Sequence, residues 1–174
     1  MLTETTLTGA ELLDLWQQLA QDESLPERYE LTENGELVMS PSPTNRQQIV
    51  CSEIAFQLRS QLGGKAVTEA AVLTRTAGVR KPDVVWMPSA RWAALSGQPE
   101  GADILSAPDL AVEVLSPRNR RAEIAHKVAA YLASGTTEVV VVALDGAVVF
   151  HHADGAHAES VLGVRLDLPS DLFA

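Results

Sequence analysis

Pro108-Asp109-Leu110-Ala111-Val112-Glu113-Val114-Leu115-Ser116-Pro117 is the stretch on which the fold turns. From Leu110 to Leu115 it is apolar except for Glu113. An unalternating run of this length reads as a central strand covered on both faces. A lone carboxylate inside it costs several kcal/mol to desolvate unless it is paired or holds a metal. Downstream, Arg120 to Ala133 spaces Ile124, Val128, Ala129 and Leu132 as one helical face, and Gly135 closes the helix. Glu138 to Leu144 is a second buried strand, which Asp145-Gly146 turns into Ala147 to His151, and Val161 to Leu166 predicts a last strand.

Upstream, Asp83 opens the apolar run Asp83 to Met87 behind Pro82, and Ala66 to Thr74 predicts one further strand. Asn45 to Leu62 carries Val50, Cys51, Ile54, Ala55, Leu58 and Leu62 at helical spacing and stops at Gly63-Gly64. Tyr29 to Thr32 and Glu36 to Ser40 form a hairpin about Asn34-Gly35, ended by Pro41-Ser42-Pro43. Thr8 and Glu11 have capping-box spacing ahead of a short amphipathic helix. Residues 89–105, with Gly97, Pro99 and Gly101, read as mixed helix and loop. The pattern predicts one α/β (α+β) domain, a mixed central sheet flanked by helices.

Composition narrows the function classes. The 174 residues hold 46% hydrophobic and 21% charged residues, an ordinary globular balance. No apolar run reaches ~18 residues, so no membrane helix is expected. A start without a basic and then apolar region, together with a single cysteine, suits a reducing cytoplasm. Cys51 falls on the apolar helical face and reads as core. The net charge of −10 argues at first against a polyanionic partner. Its distribution reverses the point: Arg75 to Lys127 holds eight basic and six acidic residues, and all the remaining excess of acid lies outside that segment.

The chemistry-bearing residues fall in the same segment. Asp83 and Glu113 on neighbouring strands offer two carboxylates for Mg²⁺ or Mn²⁺, and the carbonyl of Val114 offers a third oxygen. Lys127, on the helix that follows, is placed to orient or deprotonate an attacking water. A blander reading stands beside this one: Asp83 as a turn residue after proline, Glu113 paired with a nearby arginine, Lys127 solvated. His151, His152 and His157 cluster around the Asp154-Gly155 turn, but His151 and His152 face opposite sides of a strand and cannot readily share an ion, so a histidine metal site is set aside. His126 points about 100° away from Lys127 around its helix. Ser116 has no nucleophile-elbow glycines, and no phosphate-binding glycine loop is present.

Pro82-Asp83, the 108–117 stretch, Lys127 with Tyr131 and Gly135, and Gly35 to Pro41 upstream together resemble the Uma family of restriction endonucleases, within the PD-(D/E)XK nuclease superfamily. The resemblance spans about residues 28 to 151. It implies a restriction-endonuclease-like core over 28–151, a helical extension over 1–27, and a strand and tail over 152–174. It implies further that Asp83 and Glu113 are the motif carboxylates. Leu115 occupies the motif lysine position, and the lysine role passes to Lys127 on the next helix. Where the family tends to place a histidine or acid on its first core helix, this chain has Arg46. An arginine can touch phosphate but cannot ligate a metal; Glu36 and Glu53 are the acids that could substitute.

The function so implied is Mg²⁺-dependent hydrolysis of DNA phosphodiesters, with Arg118, Arg120, Arg121 and Arg46 against the backbone and a homodimer as a plausible assembly. The alternative is a catalytically inactive nuclease fold serving as a binding or assembly module.

Overall fold

In the computed structural model, which describes residues 6–25, 28–39, 42–95 and 104–173, the run 110–114 is buried at every position. The elements are, in chain order, α1 (Gly9–Leu19), β1 (Tyr29–Leu31), β2 (Leu37–Met39), α2 (Asn45–Leu62), β3 (Lys65–Thr68), β4 (Ala71–Leu73), β5 (Val79–Arg80) and β6 (Val84–Met87). They continue with α3 (Ser89–Leu95), β7 (Ile104–Leu105), β8 (Leu110–Val114), α4 (Arg121–Ala133), β9 (Glu138–Val142), β10 (Val148–His152) and β11 (Gly155–His157). A 3₁₀ turn at Ser170–Leu172 ends the described chain.

Two mixed sheets result. The smaller has the order β2-β1-β5-β4-β7 and the larger β11-β10-β9-β8-β6-β3. In the larger sheet β8 and β9 are parallel neighbours, and α4 is the connection between them, as a parallel pair requires. Side chains along β8 alternate between two helices. Leu110, Val112 and Val114 share a core with Val50, Ile54 and Leu58 of α2. Ala111 packs instead with Ile124, Val128 and Tyr131 of α4. Glu113 belongs to the Ala111 set by strand period, so the fold turns it towards α4.

Local chemistry accounts for the element ends. Thr8 and Glu11 close the capping box, with the Thr8 amide donating to Glu11 Oε2 at 2.8 Å and the Glu11 amide donating to Thr8 Oγ1 at 3.3 Å. Thr44 caps α2 by accepting from the Gln47 amide at 3.1 Å. The Asn34-Gly35 hairpin pairs Tyr29 with Met39 and Leu31 with Leu37, and Leu31 also pairs with Val79, which ties β1 to β5.

Two expected strands turn out differently. The 66–74 run divides into β3 and β4, which belong to different sheets. The break is Glu69, whose φ of 56° is left-handed and turns the chain from one sheet to the other. The 161–166 run pairs with no strand among the described residues. Gln61 takes both the amide and the carbonyl of Arg165, at 2.9 and 2.7 Å. Gln57 does the same for Asp167, at 2.8 and 2.7 Å. Two glutamines one turn apart on α2 thus replace a neighbouring strand, while Val164, Leu166 and Leu168 pack on the core. The short β5, β7 and β11 carried no signal in the sequence reading. Ser40, Pro41, Gly97, Pro99 and Gly101, invoked there as breakers or strand ends, lie outside the described residues.

Gly78, in the turn before β5, has a φ of +74°, and a Cβ there would sit 2.2 Å from the Leu31 carbonyl oxygen. That backbone cannot give way without parting β1 from β5. Gly78→Ala should therefore cost roughly 2–4 kcal/mol, combining left-handed strain with overpacking. Urea unfolding measures it, and a loss below about 0.5 kcal/mol would contradict the close approach.

Candidate active site

The antiparallel register of β6 on β8 matches Val84 with Val112. One residue further along that ladder, Asp83 comes beside Glu113. The Val114 amide then donates to Asp83 Oδ2 at 2.7 Å, and the Gln47 side chain reaches Asp83 Oδ1 at 3.4 Å. From the α4 side, the Tyr131 hydroxyl donates to Glu113 Oε1 at 2.8 Å. Lys127, one turn earlier on α4, places Nζ 3.5 Å from the same oxygen. Of the four residues expected here, Asp83, Glu113 and Lys127 bring their side chains to one site, while Val114 enters through its backbone N–H.

The fold adds a third carboxylate that the sequence pattern does not place here. Glu30, buried in β1, accepts from the Lys81 amide at 2.8 Å, from Arg80 Nη1 at 3.2 Å and from Lys127 Nζ at 3.2 Å. Lys127 is thereby clamped between Glu30 and Glu113. The signal for Glu30 was present: like Glu113, it is one acid between apolar residues of a short strand, Tyr29-Glu30-Leu31.

Glu30, Asp83, Glu113 and Lys127 line a cavity of about 440 Å³, with Arg28, Gln47, Lys81 and Arg118 also on its wall. Arg46 is exposed and absent from that wall, where its neighbour Gln47 stands instead. Arg120 and Arg121 line a separate pocket of about 740 Å³ beside α4. Glu36 is exposed and Glu53 bonds Gln57; neither supplies the acid that Glu30 does.

Burial governs the electrostatics. It raises the Glu113 carboxyl from 4.5 to about 7, against the lowering pull of Lys127 and with the support of Asp83. It raises Asp83 too, opposed by the Val114 N–H and by Lys127. Burial alone would lower Lys127, but Glu113 and Glu30 reverse the sign and hold its ammonium above the ordinary lysine range. Tyr131 is raised well above the ordinary phenol by burial and by Glu113, so it stays a proton donor. Around the cavity the four acids Glu30, Asp83, Glu113 and Glu123 are matched by the four bases Arg28, Lys81, Arg118 and Lys127. The donor set is wholly oxygen, the chemistry that suits a hard divalent cation.

The family model of Uma2, described as "Putative restriction endonuclease", matches residues 13–171. The chain belongs to the Uma2 family. For this Uma2 chain the crystal structure of "a putative nuclease belonging to DUF820" from Anabaena variabilis is a structural neighbour, with a TM-score of 0.63 and 21% identity. The match covers 91% of this chain and 96% of that one, which shows a shared fold. No curated protein matches this Uma2 sequence. Among the described residues, no helix is long and apolar enough to cross a membrane.

Proposed function

We propose that this Uma2 chain is a metal-dependent endonuclease of PD-(D/E)XK type that hydrolyses DNA phosphodiesters. The observation that carries the reading is the juxtaposition of Asp83 and Glu113 by strand register, with the Lys127 ammonium 3.5 Å from Glu113, in one open cavity. Asp83, Glu113 and the Val114 carbonyl are the groups that would hold Mg²⁺ or Mn²⁺. Two oxygens support that fit: Glu113 concentrates both its contacts on Oε1, and Asp83 Oδ1 has only the long Gln47 bond among the described residues. When bound, a divalent cation polarises the phosphate and offsets charge developing on it.

The remaining work falls to the chain itself. Lys127 is held protonated by two carboxylates, so it orients the attacking water and stabilises charge instead of removing a proton. Tyr131 fixes the Glu113 carboxylate from behind. Arg118 on the cavity wall meets the phosphate backbone, and Arg120 and Arg121 extend the contact on the neighbouring surface. The protein's acidic total restricts productive contact to this face and makes binding strongly salt-sensitive.

Plasmid and single-stranded DNA incubated with Mg²⁺ or Mn²⁺ test the assignment. Asp83→Ala and Glu113→Ala should each lower cleavage by at least ~100-fold. Equal rates in wild type and both variants would overturn it. A rival reading, a nuclease fold kept as a binding module, draws on Arg46 where the family tends to place a histidine or acid, and on the net charge of −10. It expects no Mn²⁺ binding that depends on Asp83.

A further inference from the structure

The hairpin of β10 and β11 carries a second constellation, remote in chemistry from the all-oxygen site. Its register sets Phe150 opposite His157 and His152 opposite Gly155. His152 and His157 are therefore diagonal neighbours on one face, and their rings stack at 4.6 Å with planes 21° apart. Asp154, in the turn, lies against His157, with Oδ1 2.9 Å from Nε2. One ligand atom from each of His152, Asp154 and His157 falls within 4.8 Å of the others. The earlier objection to His151 with His152 still holds; the second imidazole arrives from across the hairpin.

An independent feature lies behind this trio. Glu138, the first residue of β9, is wholly buried. It accepts from His152 Nε2 at 2.7 Å, from the Ser160 hydroxyl at 2.6 Å and from the Val161 amide at 2.7 Å. An acceptor on Nε2 assigns a proton there, so in the neutral ring Nδ1 carries the lone pair. A carboxylate behind one ring nitrogen with a metal at the other is the usual outer-shell support of a histidine ligand.

We propose that His152, Asp154 and His157 form a zinc site, with Glu138 as the residue that positions His152. Two imidazoles and one carboxylate suit a borderline-soft cation and leave a fourth tetrahedral position for water. Mg²⁺ has no preference for such nitrogen donors, so this site favours zinc over magnesium. Ligand atoms around tetrahedral zinc stand about 3.3 Å apart, given bonds of roughly 2.0–2.1 Å. The short rotamer changes needed to close the trio fall on Asp154 and His157, whose side chains are 76% and 40% exposed. Bound zinc would cross-link β10 to β11, a strand of three exposed residues.

Calorimetric titration of the untagged, EDTA-treated full chain with ZnCl₂ tests this. One zinc per chain is expected, with a rise in Tm. His157→Ala, an exposed change that leaves Glu138 its partner, should weaken binding at least tenfold and remove the Tm rise. Co²⁺ should give the visible absorption of a tetrahedral site in the wild type and not in that variant. Asp83→Ala should bind zinc as the wild type does. Equal zinc affinity in wild type and His157→Ala would overturn the proposal, as would loss of zinc binding on Asp83→Ala.

Discussion

Glu113→Gln is expected to abolish DNA cleavage and, without added metal, to make the protein more stable at pH 8 by about 3 kcal/mol. Burial raises the Glu113 carboxyl from 4.5 to about 7, so the folded protein binds this proton more tightly than the unfolded chain does. The associated stability is present in full below pH 4.5 and is lost as pH rises through about 7. At about 1.36 kcal/mol per unit the loss comes to roughly 3 kcal/mol. Glutamine keeps the neutral shape and does not titrate. The variant and the wild type should therefore be equally stable near pH 4.5 and diverge up to pH 7–8. For a chain of this size the gain corresponds to a Tm rise of roughly 6–12 °C. Urea unfolding in EDTA at several pH values measures it. A variant less stable than the wild type at pH 8 would refute the claim that this carboxylate is held at a cost to stability. Mg²⁺ should narrow the gap by stabilising the wild type alone.

Lys127→Met should act in the opposite sense. The ammonium sits 3.2 Å from Glu30 and 3.5 Å from Glu113, with only 15% of the side chain exposed. Its removal leaves buried carboxylates without their shared counter-charge, which costs roughly 3–5 kcal/mol. Cleavage should fall by at least ~100-fold even under conditions where the variant stays folded. Adding Glu113→Gln to Lys127→Met removes one of the stranded charges, so at pH 8 the double variant should regain more over Lys127→Met than the roughly 3 kcal/mol that Glu113→Gln gains alone. Strict additivity of the two changes would mean that the pair is not coupled. Near-UV circular dichroism alongside the cleavage assay separates lost folding from lost chemistry.

These expectations rest on residues of unequal legibility. Asp83, Glu113 and Lys127 stand out because they respectively open, break and follow an apolar strand, and a charge in such a place needs a partner. Their convergence follows from the β6–β8 ladder, which the strand pattern alone does not specify. Glu30 bears the same local signature but lies 83 residues before Glu113 in a three-residue strand. Only the pairing of Leu31 with Val79 carries it to Arg80, Lys81 and Lys127. Arg46 and Gln47 show the limit of helical spacing, since a rotation of one residue separates a solvent-facing side chain from one that reaches Asp83.

The same division runs through the fold. Helices at Asn45–Leu62 and Arg121–Ala133, the Asn34-Gly35 hairpin and the strands at 110–114 and 138–142 declare themselves through period, caps and turns. Those signals act within a few residues, and the sequence by itself determined them. It likewise determined the belt of basic residues between Arg75 and Lys127 and the buried acids within it. The tertiary structure decided which partner each extended segment takes. Glu69 sends one apolar run into two sheets, and Gln57 and Gln61 bind a tail that no strand claims. It also decided which histidines meet, because His152 and His157 become neighbours only through the β10–β11 register. Backbone hydrogen-bonding groups must all find partners, but their chemistry is alike along the chain. Which partner is available depends on where distant segments pack, and that depends on the whole core.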